Sequence, residues 1–141
     1  MSLFKIYKIK SPNFWYALSI VLYIISLTQN CLFIENEEQS YYGFSLLIFG
    51  FYAVFDSGFS WLANILIVLS WGLRHKKYSI YISLLALVLA ISFLFCKEIV
   101  MGTNNTYGTI TGYDVGYYLW ALSFLAMLIA GILKHRTQNS D

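Results

Sequence analysis

The sequence predicts an all-α polytopic membrane protein with four transmembrane helices, both termini inside, and a short interfacial helical segment before the second span. Three observations predict it. First, 59% of the 141 residues are hydrophobic, 19% aromatic and only 11% charged. Soluble domains carry roughly 25% charged and 45–50% apolar residues. The mean hydropathy is +0.64, which excludes disordered and disulfide-scaffold classes. Second, four apolar stretches approach the ~20 residues that a hydrocarbon core about 30 Å thick requires. Third, eight of the nine basic residues fall on one side of those stretches.

The first span covers about residues 14–34. Ser11-Pro12 supplies a capping residue followed by proline at the first helical position. Lys5, Lys8 and Lys10 precede it, as in a signal peptide. The apolar stretch is too long for one, however, and no small-x-small cleavage site follows. Thr28-Gln29-Asn30 before Cys31 are likewise not the small residues of lipoprotein processing.

The second stretch, residues 44–73, is 30 residues long. As one helix it would measure about 45 Å and need a steep tilt. Asp56-Ser57-Gly58 offers a break, since Asp and Ser cap helices and Gly lets the chain turn. A carboxylate at the bilayer centre costs about 2.5–3.5 kcal/mol. At an interface, against helix N–H groups, it is tolerated. The preferred reading is an interfacial segment at about 44–55 and a span at about 57–73, with the continuous helix as the alternative. The third and fourth spans cover about 78–96 and 115–133. Between them, Gly102, Gly108 and Gly112 among Thr and Asn read as turns, with a hairpin about Asn104-Asn105. The whole chain, 1–141, is one membrane domain without repeats.

Orientation follows from the charges. Lys5, Lys8, Lys10, Arg74, Lys76, Lys77, Lys134 and Arg136 share one side, and only Lys97 lies on the other. Glu35, Glu37, Glu38, Glu98 and Asp114 are opposite them. The positive-inside rule makes both termini cytoplasmic, in a bacterial inner membrane. Trp15, Tyr16, Trp71, Tyr78 and Tyr81 mark the inner aromatic belt. Tyr41, Tyr42, Tyr113, Tyr117, Tyr118 and Trp120 mark the outer one.

Candidate chemistry concentrates in polar residues within the spans. Ser57, Ser60 and Asn64 share one helix face, and Ser19, Tyr23, Ser26 and Asn30 share another. The two rows read first as hydrogen-bonding glue across one helix pair, with Asn64 at its centre, and second as the lining of a substrate or ion path. Asp56 is the one acid inside an apolar stretch. It is read as an interfacial cap, or as a proton or cation site if the helix is continuous. The candidate membrane site is therefore Asp56, Ser60, Asn64, Tyr23 and Asn30. Cys31 and Cys96 both lie near the outer face, where an oxidising periplasm would let them bridge. Buried free thiols behaving as small hydrophobes are the commoner case. His75 and His135 stand in basic flanks, away from any haem-ligating position. No phosphate loop, zinc spacing or Ser–His arrangement occurs, so no enzymatic activity, metal or cofactor is expected. Ser79, Ser83, Ala86 and Ala90 on the third span, and Ser123, Ala126 and Ala130 on the fourth, form small-residue faces suited to close helix packing.

At Trp61-Leu62-Ala63-Asn64 and Gly116-Tyr117-Tyr118-Leu119-Trp120, the chain resembles small bacterial inner-membrane proteins of four helices, a family with no assigned activity. Such relatives would carry proline after the asparagine, where Ile65 stands here. Small multidrug transporters also have four spans, but they place a glutamate in the first, and this sequence has none there. The expected role is an accessory subunit or a membrane immunity protein, with the lipid bilayer and a protein partner or second copy as its contacts and no nucleic acid. The alternative is a small proton- or cation-coupled transporter using Asp56 and Asn64.

Overall fold

The structure, a computed structural model, describes residues 11–36, 40–51, 59–101 and 106–138. Helix α1 (Pro12–Thr28) opens with proline in its first turn. It stops where Thr28-Gln29-Asn30 interrupts the apolar run. Gln29 is extended, at φ −103° and ψ 157°, and strand β1 (Asn30–Ile34) follows directly. Strand β2 (Tyr41–Tyr42) leads into the short helix α2 (Gly43–Phe49). A 3-10 turn at Phe59–Trp61 opens helix α3 (Leu62–Gly72). Helix α4 (Tyr78–Ser92) ends in a second 3-10 turn at Phe93–Phe95. Strands β3 (Glu98–Met101) and β4 (Thr106–Tyr113) precede helix α5 (Val115–Gln138).

The four strands form one antiparallel sheet in the order β2-β1-β4-β3. Leu32 of β1 pairs with Tyr41 on one side and Tyr113 on the other. Both of β1's pairings slip in register, and such irregularities bend and twist a strand locally. β3 and β4 pair from Glu98↔Thr109 to Met101↔Thr106, on either side of residues 102–105.

This architecture corrects the all-α, four-span expectation and the four-helix-bundle description that went with it. Among the described residues, two helices are long and apolar enough to cross a bilayer, Tyr78–Phe95 and Val115–Gln138. Pro12–Thr28 and Phe59–Gly72 are shorter, at no more than 17 residues. At 1.5 Å per residue, 17 residues reach about 26 Å, short of the ~30 Å hydrocarbon. The first span was overextended because Leu32-Phe33-Ile34 continues the apolar run of α1. A short apolar run cannot be assigned to helix or strand by periodicity alone. Here two neighbouring strands take its backbone hydrogen bonds. Residues 44–73 divide, with α2 ending at Phe49 and the next helical turn starting at Phe59. Asp56, Ser57 and the proposed cap lie outside the described residues.

Packing is inverted relative to a water-soluble domain. Ser19, Ser26, Ser60, Ser70, Ser79, Ser83 and Ser123 are all buried, whereas Val21, Ile24, Val68, Leu85 and Val88 are each at least half exposed. The buried serines sit at helix contacts. Ser19 Oγ donates to the Ser123 carbonyl across α1 and α5 at 2.7 Å, and accepts the Trp71 indole N–H at 3.0 Å. Ser70 and Ser79 join α3 to α4, hydroxyl to hydroxyl at 2.9 Å. Ala86, Ala90, Ala126 and Ala130 are buried beside them, so the backbones approach closely.

The ends of the molecule differ in charge. Glu35, Lys97, Glu98 and Asp114 flank the sheet, while Arg74, His75, Lys76, Lys77, Lys134, His135 and Arg136 gather at the opposite end. There the Arg74 guanidinium lies 4.4 Å from the Tyr16 ring centroid, so the start of α1 also sits at the basic end.

One glycine fixes the junction between helices and sheet. A Cβ on Gly116 would come within 2.6 Å of both the Asn30 carbonyl oxygen and Cys31 Sγ. Gly116→Ala is therefore expected to cost about 1–3 kcal/mol through overpacking. Gly72→Ala, whose Cβ meets nothing within 4 Å, should stay within about 0.5 kcal/mol. Thermal unfolding of both variants in one detergent checks the contrast.

Candidate functional site

A cavity of about 90 Å³ lies where the sheet meets the helices. That is room for several waters or a small apolar group. Ser26 and Leu27 from the last turns of α1, with Cys31 and Leu32 from β1, form one wall. Ser60, Trp61 and Asn64 form a second, and Phe93, Ile99, Tyr117 and Trp120 complete it. Helix α2 contributes Gly43, Leu46 and Leu47. It is held in place by the Trp61 indole N–H, which donates to the Leu47 carbonyl at 2.8 Å. The absent side chain of Gly50 allows this approach, since a Cβ there would sit 2.5 Å from Trp61 Cδ1.

Asn64 organises the polar part of the wall. Its Oδ1 accepts the Trp120 indole N–H at 2.8 Å and the Tyr23 hydroxyl at 3.0 Å. An indole N–H can only donate, so the atom facing Trp120 must be the amide oxygen. Both acceptor positions of that oxygen are then filled. The amide nitrogen makes no hydrogen bond among the described residues. Ser60 Oγ lies 3.3 Å from Ser92 Oγ. The start of α5 is locked to the end of α4 by Tyr117, whose hydroxyl donates to the Ala90 carbonyl at 2.7 Å. Tyr113 reinforces this by donating to the Phe93 carbonyl at 2.7 Å.

No protein-family model, curated protein or solved structure matches the chain. The chemistry of the cavity must be read from its own walls.

Of the sequence candidates, Tyr23, Ser60 and Asn64 come together at or beside this cavity. Asn30 does not line it. It sits in β1 opposite Tyr42, with its Oδ1 buried and without a hydrogen-bond partner. Asp56 lies outside the described residues. Cys31 and Cys96 are free thiols, Cys31 buried in the cavity wall and Cys96 partly exposed. Sequence reasoning missed Trp61, Tyr117 and Trp120 as wall residues. The positions of Tyr117 and Trp120 mark them as outer-belt aromatics, and only the tertiary fold turns them and Trp61 to the cavity. It also missed α2's place against the cavity, because a seven-residue helix shows no decisive periodicity.

The wall is chemically neutral. Burial, and then the Asp114 carboxylate, push the Cys31 thiol up to about 12, so it is protonated at neutral pH. A protonated thiol at that position is a poor nucleophile. The cavity's complement is an apolar group with one hydrogen-bond acceptor placed against the Asn64 amide N–H.

Two outcomes follow from this geometry. Trp120→Phe leaves one acceptor position of Asn64 empty and should cost about 1 kcal/mol in thermal or denaturant unfolding. With iodoacetamide at pH 8, Cys31 in a Cys96→Ser background should react on the order of a hundredfold more slowly than Cys96 in a Cys31→Ser background. Its rate should climb with pH well past the ordinary thiol range.

Proposed function

We propose that this is an integral membrane protein that binds a partner and has no catalytic step of its own, acting as an accessory subunit or a membrane immunity protein. The observation that carries the reading is the inverted packing: serines are buried between helices while large aliphatic side chains face outward. Water penalises that outward face, and lipid does not. Helix α4 with its following 3-10 turn (Tyr78–Phe95) and helix α5 are long and apolar enough to cross, with α1 and α3 packed beside them. The positive-inside rule then assigns the basic end to the cytoplasm and the sheet to the outer face of a bacterial inner membrane.

The cavity supports binding over transport. A cation site needs oxygen ligands, and the Asn64 oxygen already accepts two donors. Its amide N–H groups, which make no hydrogen bond among the described residues, suit a neutral acceptor on an apolar partner group. Phe44, Ile48, Phe49 and Phe51, on and just beyond α2, are all well exposed. They offer an apolar approach to the same place.

Membrane residence and sidedness are tested together. The protein should remain in the pellet after alkaline carbonate. With the native cysteines replaced by serine, an impermeant maleimide should label Thr109→Cys in intact spheroplasts, and Thr137→Cys only after permeabilisation. Extraction by carbonate, or the reverse labelling, overturns the assignment. For the binding role, proteoliposomes of the purified protein should show no proton or cation flux above empty vesicles. A flux abolished by Asn64→Ala with normal insertion would replace this reading by the transporter.

A further inference from the structure

The basic end is more than a topological signal, because the fold gathers its charges around one recess. Arg74, His75, Lys76 and Lys77 reach it from the turn between α3 and α4, and Lys134 and His135 from the last turns of α5. Lys134 Nζ lies 2.8 Å from His75 Nδ1, joining the two elements. The charged groups facing His75 are thus Arg74 on its own turn and Lys134 across the recess. Both disfavour its protonation, and its pKa is lowered, with Lys134 the largest cause, then burial and Arg74. The described acids, Glu35, Glu98 and Asp114, all flank the sheet at the opposite end. A second observation is independent of charge: Nδ1 of His135, in the wall of the same recess, is buried and has no hydrogen-bond partner.

We propose that this recess binds the phosphate headgroup of an anionic membrane lipid. The recess is shallow, about 10 Å³, which admits one phosphate oxygen and leaves the rest of the headgroup at its mouth among the lysines. A lipid fits better than a soluble phosphate because an apolar track starts beside the recess. Tyr78, Tyr81, Leu85 and Val88 follow Lys77 at three- and four-residue spacing, so they share one face of α4. All four are at least half exposed, Tyr81 at 71%. Ring, then aliphatic side chain, in that order away from the charges, is the sequence of environments a lipid presents from headgroup to acyl chain. The inference rests on the bilayer reading above, whose own test is carbonate resistance.

The test uses the whole purified protein, delipidated in a nonionic detergent and titrated with phosphatidylglycerol, phosphatidylcholine or inorganic phosphate. Native mass spectrometry reads the bound lipid, and imidazole NMR reads the His75 midpoint. Phosphatidylglycerol should be retained at least about tenfold more tightly than phosphatidylcholine, and should raise the His75 midpoint. Lys76→Gln with Lys134→Gln should lose at least about tenfold of that preference, while Lys97→Gln, at the sheet end, should lose none. Equal retention of the two lipids, or an unchanged preference in the double variant, overturns the site. Displacement of phosphatidylglycerol by millimolar inorganic phosphate overturns the lipid assignment in favour of a soluble anion. A carbonate-resistant protein with no lipid preference removes this inference alone. A carbonate-extracted one removes the bilayer reading beneath it.

Discussion

Three helices meet at a single carbonyl oxygen. Oδ1 of Asn64 on α3 takes a hydrogen bond from Tyr23 on α1 and another from Trp120 on α5. Interhelical hydrogen bonds in membranes are individually modest, near 0.6 kcal/mol on average. Their weight here comes from exclusivity. A buried amide oxygen stripped of its partners loses its hydration with no replacement, at a cost of about 1–3 kcal/mol. The contact therefore fixes the relative rotation of α1, α3 and α5 more firmly than apolar packing would, because side chains such as Leu and Ile can slide past one another. Helix α4 joins the group through separate polar contacts, Ser70 with Ser79 near one end and Tyr117 with the Ala90 carbonyl nearer the other.

With that rotation set, the sheet follows. The first helix ends two residues after Ser26, and the chain turns extended before Asn30. α5 must then begin against the new strand, which only a residue without a Cβ permits at Gly116. Asp114 N–H donates to the Cys31 carbonyl at 2.9 Å, stitching the end of β4 to β1 just before α5 starts. The cavity is the residue of this geometry. Trp120 and Trp61 reach polar partners on opposite sides of it, and the space between their rings has no side chain long enough to fill it.

The sequence made some of this legible. Ser19, Tyr23 and Ser26 at four- and three-residue spacing mark a polar row, and the row holding Asn64 reads as its hydrogen-bonding counterpart, although the particular pairing of Tyr23 with Asn64 does not show in the pattern. Small residues at Ser79, Ser83, Ala86 and Ala90 marked a buried face, and all four are buried. The glycines and asparagines near Asn104 marked a hairpin, and β3 and β4 pair across it. What could not be read were features whose cause is non-local. Leu32-Phe33-Ile34 looks like more helix until β2 and β4 offer their backbones. β2 is two residues long and has no pattern of its own. Trp120 looks like an interfacial aromatic until Asn64 supplies an acceptor from a residue 56 positions away.

The distribution of polar groups along the molecule is the physical basis of the binding role proposed above. Among the described residues, charge is confined to the two ends, and the middle holds hydroxyls, the Cys31 thiol, the Asn30 and Asn64 amides and the Trp61, Trp71 and Trp120 indoles. Most of these groups are consumed by structure: the serines by backbone carbonyls or one another, Trp71 by Ser19, Trp61 by Leu47, and both acceptor positions of Asn64 by its neighbours. The Asn64 amide nitrogen, like Asn30 Oδ1, makes no hydrogen bond among the described residues, and Asn64 belongs to a cavity wall made mostly of rings and aliphatic carbons, with Ser26, Cys31 and Ser60 among them. A lone donor in an apolar enclosure can select a ligand by one acceptor and by shape, because leaving that acceptor out forfeits a hydrogen bond that water cannot replace there. Selection by one contact and by shape is what the proposed binding role would draw from this arrangement.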